Sequence, residues 1–200
     1  MSQELPPITS LGLAFKEWAA IIAALEAGET IALLRKGGLR ERGSRFQIRS
    51  PKILLYPTYE HQQPQFLKGP YRDRAVSLPV SSSPKTVQIS SWAEITEVLT
   101  VSADSLLSVL PYHVGNEDYA QQRWHWQPQH PLYLLLLRTY LFPQPQVIPY
   151  RSSYGGCRSW IELETVIALT GQPALSDADY GDRSAAIRQR VGSPVGDHGR

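Results

Sequence analysis

The sequence predicts an α+β fold: a mixed, mainly antiparallel sheet or partly closed barrel with an N-terminal helix packed on it. Three observations predict this. Phe15, Trp18, Ile22 and Leu25 recur at three- and four-residue steps, the stripe of an amphipathic helix. Short apolar runs bounded by glycine or proline come after it, which is how strands read. The 200 residues are 42% hydrophobic and 19% charged, enough apolar material for a core that buries about 70% of the unfolded surface.

Taken in order, Pro6-Pro7 opposes a helix in an irregular lead-in, and Gly28 falls where the first helix should stop. Thr30-Ile31-Ala32-Leu33-Leu34 reads as a buried strand that ends at Gly37-Gly38. Phe46-Gln47-Ile48 alternates, and Ile53-Leu54-Leu55-Tyr56 is the next strand, closed by Pro57. From 62 to 85 the chain is rich in proline, glutamine and serine, the composition of a long loop. Residues 86–89 suit a short strand. The β-branched content of 92–101 (Ile95, Thr96, Val98, Thr100, Val101) favours another strand. Ser102-Ala103-Asp104 caps a short helix that Pro111 ends, and Asn116 starts a second that runs to Arg123. Leu132 to Phe142 is a continuous apolar strand, central in the sheet, and Pro143, Pro145 and Pro149 break the chain after it. Residues 160–169 read as a last helix. Residues 11–173 form a single globular domain in this reading. Residues 174–200, with few large apolar side chains, are expected to be a disordered tail.

Several classes fall away. The longest apolar run, Leu132 to Leu137, is far short of a membrane span, so no membrane association is expected. Met1-Ser2-Gln3-Glu4 lacks the basic and apolar regions of a secretion signal, and one cysteine builds no disulfide framework. A cytoplasmic location is therefore the expectation. No cofactor or metal is expected: His113, His125 and His130 match no tight ligand spacing.

The net charge of +2 conceals an asymmetry. Between Arg35 and Arg74 there are ten cations and three anions, whereas from Ala75 to Tyr133 two cations face five anions. Such a local excess suits an anionic partner, or arginines that solvate an exposed hairpin.

Four segments carry candidate chemistry. In Leu34-Arg35-Lys36-Gly37-Gly38-Leu39-Arg40-Glu41, paired glycines let backbone amides turn toward an anion. Arg35, Lys36, Arg40, Arg42 and Arg45 can then pair with phosphate oxygens. The segment has neither a Walker loop's lysine-serine pair nor a dinucleotide fingerprint, and a plain glycine turn is the other account. Tyr56-Pro57-Thr58-Tyr59-Glu60-His61-Gln62 leaves a strand with two tyrosines, a carboxylate and an imidazole. There His61 can serve as general acid/base with Glu60 orienting it, provided the segment turns. Tyr112, His113, Tyr119, Trp124, His125, Trp126 and His130 form an aromatic cluster, able to stack on bases or to pack as core. Cys157, between Arg151 and Arg158, is either a thiol of lowered pKa or a small buried hydrophobe.

The blocks Phe15-Lys16-Glu17-Trp18, Leu34-Arg35-Lys36-Gly37-Gly38, Leu55-Tyr56-Pro57-Thr58-Tyr59-Glu60-His61-Gln62, Leu137-Arg138-Thr139-Tyr140 and Gly156-Cys157-Arg158-Ser159-Trp160 together resemble a bacterial family, domain of unknown function 1802. The resemblance spans about residues 13–168, leaves the tail outside, and implies no established activity. In layout the chain is also similar to PUA-like and ASCH-type RNA-binding barrels. There a helix leads through a glycine into a strand bearing a basic residue, as Trp18, Gly28 and Arg35 do here. Layout implies a fold and leaves function open.

The functional expectation is a nucleic-acid or nucleotide-binding module whose partner is RNA, DNA or a nucleotide. Arg35, Lys36, Gly37, Gly38, Arg40, Arg42 and Arg45 would contact phosphate, while Tyr56, Tyr59, Trp124 and Trp126 would stack. One alternative is a phosphoester-processing enzyme that uses His61 and Glu60, with Arg35 or Arg40 stabilising developing charge. The other is a module that docks an acidic protein. Whether the chain is an enzyme, and its oligomeric state, stay open.

Overall fold

The computed structural model describes residues 9–36, 48–77, 85–156 and 158–191. Gly37, Gly38, Arg40, Arg42, Arg45 and Cys157 therefore lie outside the described residues.

Among the described residues seven strands form one mixed sheet, in the order β2-β5-β4-β3-β1-β6 with the short β7 beside β5. They are β1 (Ser10–Trp18), β2 (Ala32–Lys36), β3 (Lys52–Thr58), β4 (Thr86–Val101), β5 (Leu132–Pro149), β6 (Trp160–Ala168) and β7 (Gln172–Pro173). β1 and β3 run parallel, and every other pairing is antiparallel. The helices are α1 (Ala19–Glu26), α2 (Gly69–Ser77), α3 (Glu117–His125) and α4 (Asp177–Val191). The sheet is α+β in class and is not closed into a barrel. None of these helices is long and apolar enough to cross a membrane.

α1 fills one face of the sheet. Ile21, Ala24 and Leu25 pack with Phe15, Leu33, Ile53, Leu55, Ala93, Ile95, Leu135 and Leu137. On β1 the alternating residues Ala14 and Lys16 turn to the other face, where Leu54, Tyr56, Trp92, Tyr154 and Ile161 gather. Gly28 ends α1 in the left-handed conformation at φ 65°, and a Cβ there would strike Leu175 at 2.8 Å.

Five sequence expectations need correction. The helix predicted from Phe15 begins only at Ala19. Phe15 sits in β1, a strand buried on both faces, whose apolar run hides its period of two. The loop expected over 62–85 contains α2, whose proline, Pro70, falls in the first turn where a missing N–H costs nothing. β5 runs on through Pro143 and Pro145. The ladder skips them: Ser91 faces Leu141 and Ile89 faces Gln146, a bulge that absorbs the lost donors.

The helix predicted at 160–169 is strand β6, with Ile161 and Leu163 inward and Glu162 and Glu164 outward. Last, residues 177–191 of the expected disordered tail are helix α4. Ser176 caps it by accepting the Asp179 N–H (3.1 Å) and donating to the Asp179 carboxylate (2.6 Å), and Tyr180, Ser184, Ile187 and Val191 make one buried stripe.

Candidate functional site

β2 ends in Arg35 and Lys36, whose side chains leave opposite faces of the strand. Arg35 is only 7% exposed. Its guanidinium donates to the Glu17 carboxylate and to the Lys16 carbonyl (3.0 Å), and lies 4.4 Å over the Phe15 ring. Burial pulls the Arg35 pKa down, and the Glu17 charge opposes that pull. Lys36 donates to the Trp124 carbonyl (2.7 Å), with its ammonium 5.3 Å over the Trp124 indole.

Beside this pair, α3 brings Tyr119 and Arg123 down onto the sheet end. Asn116 caps α3 by accepting the Tyr119 N–H at 3.0 Å. Tyr119 is the hub: Trp18 lies 5.6 Å away, the His113 ring stacks on it at 5.2 Å, and the Arg123 guanidinium sits 5.1 Å over it. The stack is tight enough that a Cβ on Gly115 would meet Tyr119 at 2.5 Å. His113 Nδ1 accepts the Gly115 N–H (2.8 Å), which places its proton on Nε2. Burial pushes the His113 pKa down to about 3, and the charges of Lys68, Arg123 and Arg35 push the same way. Neutral His113 is thus a fixed donor. Its Nε2 and the Nε atoms of Arg35 and Arg123 are buried without hydrogen-bond partners, and the buried Tyr119 hydroxyl is turned to the Arg123 guanidinium.

The Tyr56–Gln62 segment lies on the other side of β1. Tyr56, 3% exposed, packs edge-on against Tyr154 at 6.1 Å, so its ring is not open for stacking on a base in this conformation. Glu60 accepts from the Lys16 ammonium (2.8 Å) and from the Gly156 N–H (3.2 Å). The Lys16 hydrogen bond holds its carboxyl below the usual range. Gln62 accepts the Ala20 N–H (3.2 Å) and so caps α1. Tyr59, 37% exposed, and His61, in the left-handed region at φ 56°, stay at the surface.

The structure therefore brings Lys36 onto Trp124, two residues before the 44%-exposed Trp126, and turns Arg35 to Glu17 and Phe15. It puts Glu60 behind β1, because neighbouring Lys16 and Glu17 point to opposite faces and each fixes one candidate. Glu17 and Arg123 were absent from the sequence-derived candidates, and Tyr119 was read there only as a member of the aromatic cluster. The signal for Tyr119 and Arg123 was the asparagine cap before Tyr119, which sets the face of α3 that meets the sheet. Among the described residues no group of three or more His, Cys, Asp or Glu is placed to hold a metal ion.

A family model described as domain of unknown function (DUF1802) matches residues 14–186, which takes the family into α4, beyond the limit read from the sequence. No curated protein matches the chain. Among solved structures, the crystal structure of ASCH from Zymomonas mobilis is similar at 12% identity and TM-score 0.43, covering 86% of this chain and 93% of that one. A mutant of the same protein is similar at 11% identity and TM-score 0.43, covering 88% and 94%.

Proposed function

This chain belongs to the DUF1802 family, and we propose that it binds nucleic acid or a nucleotide at the end of the sheet where β2 meets α3. The observation that carries the reading is the pairing of cations with aromatic faces at one place. Lys36 lies over Trp124 and Arg123 over Tyr119, with Trp126 exposed next to them. Cations neutralise phosphates while an exposed indole face such as that of Trp126 accepts a stacked base, the combination that single-stranded nucleic acid needs. β2 hands directly to the segment that carries Arg40, Arg42 and Arg45, which extends the same basic run. In this reading Lys36 and those three arginines contact phosphate, Trp126 stacks, Tyr59 offers a second exposed ring beyond β1, and Arg35 holds the site's frame through Glu17.

A salt titration of affinity for a single-stranded oligonucleotide tests it. Each phosphate neutralised adds about 0.7 to the magnitude of the log–log slope, so replacing Arg40 and Arg42 by alanine should reduce it by about one to two units. Trp126→Ala should weaken binding by about 1–3 kcal/mol and leave the slope alone, since stacking releases few counterions. A wild-type chain that binds no oligonucleotide even at low salt sinks the proposal.

A further inference from the structure

We propose that the niche around His113 takes a phosphomonoester, the dianionic terminal phosphate of a nucleotide or of an oligonucleotide end. This deepens the reading above and rests on it. The first observation is the set of unpartnered donors. Arg35 Nε, Arg123 Nε and His113 Nε2 are all buried with no acceptor, on side chains gathered around the Tyr119 ring and the Arg35–Glu17 pair, while the Tyr119 hydroxyl is turned to the Arg123 guanidinium. A buried donor left unpaired is costly, and several in one cluster call for an acceptor-rich guest.

The second observation is charge. Arg35, Arg123 and Lys68 all act on His113, and among the described residues Glu17 is the carboxylate bonded to Arg35. Among these groups the cations outnumber the carboxylate. Both Glu17 oxygens are already engaged, one by Arg35 and the other by the Trp18 N–H at 2.7 Å, so the site presents donors. A phosphomonoester near neutral pH carries about −1.5 to −2 and three acceptor oxygens, which suits that excess. A bridging phosphodiester carries a single charge, and a carboxylate a single charge on two oxygens. Guanidinium groups are the donors best shaped for phosphate. Trp18, Lys68 and Arg123 are the partly exposed residues around it.

The test is calorimetry on the full chain with inorganic phosphate and with one single-stranded oligonucleotide carrying a 5′-phosphate, a 3′-phosphate or hydroxyl ends. A phosphate-ended oligonucleotide should bind about tenfold tighter or more than the hydroxyl-ended one. Inorganic phosphate should compete that advantage away. Arg123→Gln, at a partly exposed position, should erase the advantage without lowering the thermal midpoint in phosphate-free buffer. The competition arm needs no variant, so a misfolded mutant does not spoil the test. Equal affinity for all three oligonucleotides with no competition by phosphate overturns the inference and leaves the nucleic-acid reading standing. Binding of phosphate with no binding of any oligonucleotide keeps the niche and overturns that reading.

Discussion

Arg35 on β2 donates to Glu17 on β1 although four strand-to-strand steps separate them in the sheet. At about 4.8 Å per step a flat sheet would hold the two strands about 19 Å apart. The Arg35 guanidinium nevertheless lies 3.0 Å from the Lys16 carbonyl and 4.4 Å from the Phe15 ring centre. The sheet must therefore roll around α1 until its β2 edge faces β1. Side chains, instead of a strand ladder, bridge the gap.

Removing one partner of that pair should be severe. Glu17→Gln leaves a buried guanidinium without its counter-charge, and the expected loss is about 3–5 kcal/mol in denaturant unfolding. Replacing both residues by apolar ones of similar size should cost less than either single change. A double-mutant cycle measures this, and additive effects would show that the pair does not couple β1 to β2.

Legibility in the sequence depended on how each signal is made. β3, β4 and the start of β5 showed because their β-branched or aliphatic runs are bounded by turn residues, and α3 showed because Asn116 is a cap. β1 and β6 were misread for physical reasons. Phe15, Trp18, Ile22 and Leu25 do lie at helical spacing, yet the chain changes from strand to helix at Trp18, and the side chain that caps the helix, Gln62, is remote in the sequence. In β6 the alternation of Ile161, Glu162, Leu163 and Glu164 was present, and the apolar Val166 and Ile167 blurred it. The site was less legible than the fold. Charge density pointed to Arg35 and Lys36, but their division between the two faces depends on strand register. The partnership of Arg35 with Glu17 depends on the roll of the whole sheet, which no local pattern encodes.

α4 gives a prediction opposite to the one its composition invites. Ile187 is 1% exposed and packs with Leu34, Leu99 and Leu134 in the cluster beneath the helix. Ile187→Ala should cost about 2–5 kcal/mol. A chain ending at Pro173 should melt several degrees lower than the full length, because Tyr180 and Val191 leave the same cluster. An unchanged midpoint by calorimetry would show that α4 contributes nothing to the core.

Tyr56 and Tyr59, three residues apart, should respond in separate assays. Tyr56 is enclosed against Tyr154, and burial raises its hydroxyl pKa. Tyr56→Ala should therefore destabilise by about 3–5 kcal/mol, the cost of emptying an aromatic site. Tyr59→Ala should leave stability within about 0.5 kcal/mol, as surface changes do. Its effect should appear in oligonucleotide affinity instead, at about 1–3 kcal/mol. Loss of affinity without loss of stability in the Tyr56 variant would reverse these assignments.

His113 should make the fold acid-sensitive over a defined window. In the unfolded chain its imidazole titrates near the ordinary 6.5, whereas in the fold the pKa is pushed down to about 3. Between those values the unfolded chain holds a proton that the folded chain refuses, so acid favours unfolding. The contribution is complete above about pH 6.5 and is lost progressively as the pH falls toward 3, at about 1.4 kcal/mol for each unit. Carboxylates add their own changes at the lower end. Glu60, held low by Lys16, loses stability on protonation, and Glu26, raised by burial, does the opposite. The comparison with a variant separates these from the histidine. Asn in place of His113 keeps an oxygen to accept the Gly115 N–H and has no proton to gain. Urea unfolding at pH 4.5, 5.5, 6.5 and 7.5 should show the wild type losing stability relative to His113→Asn below about pH 6.5. Parallel profiles for the two proteins across that range would mean that His113 is as easily protonated in the fold as outside it, and that the donor assigned to its Nε2 is not fixed.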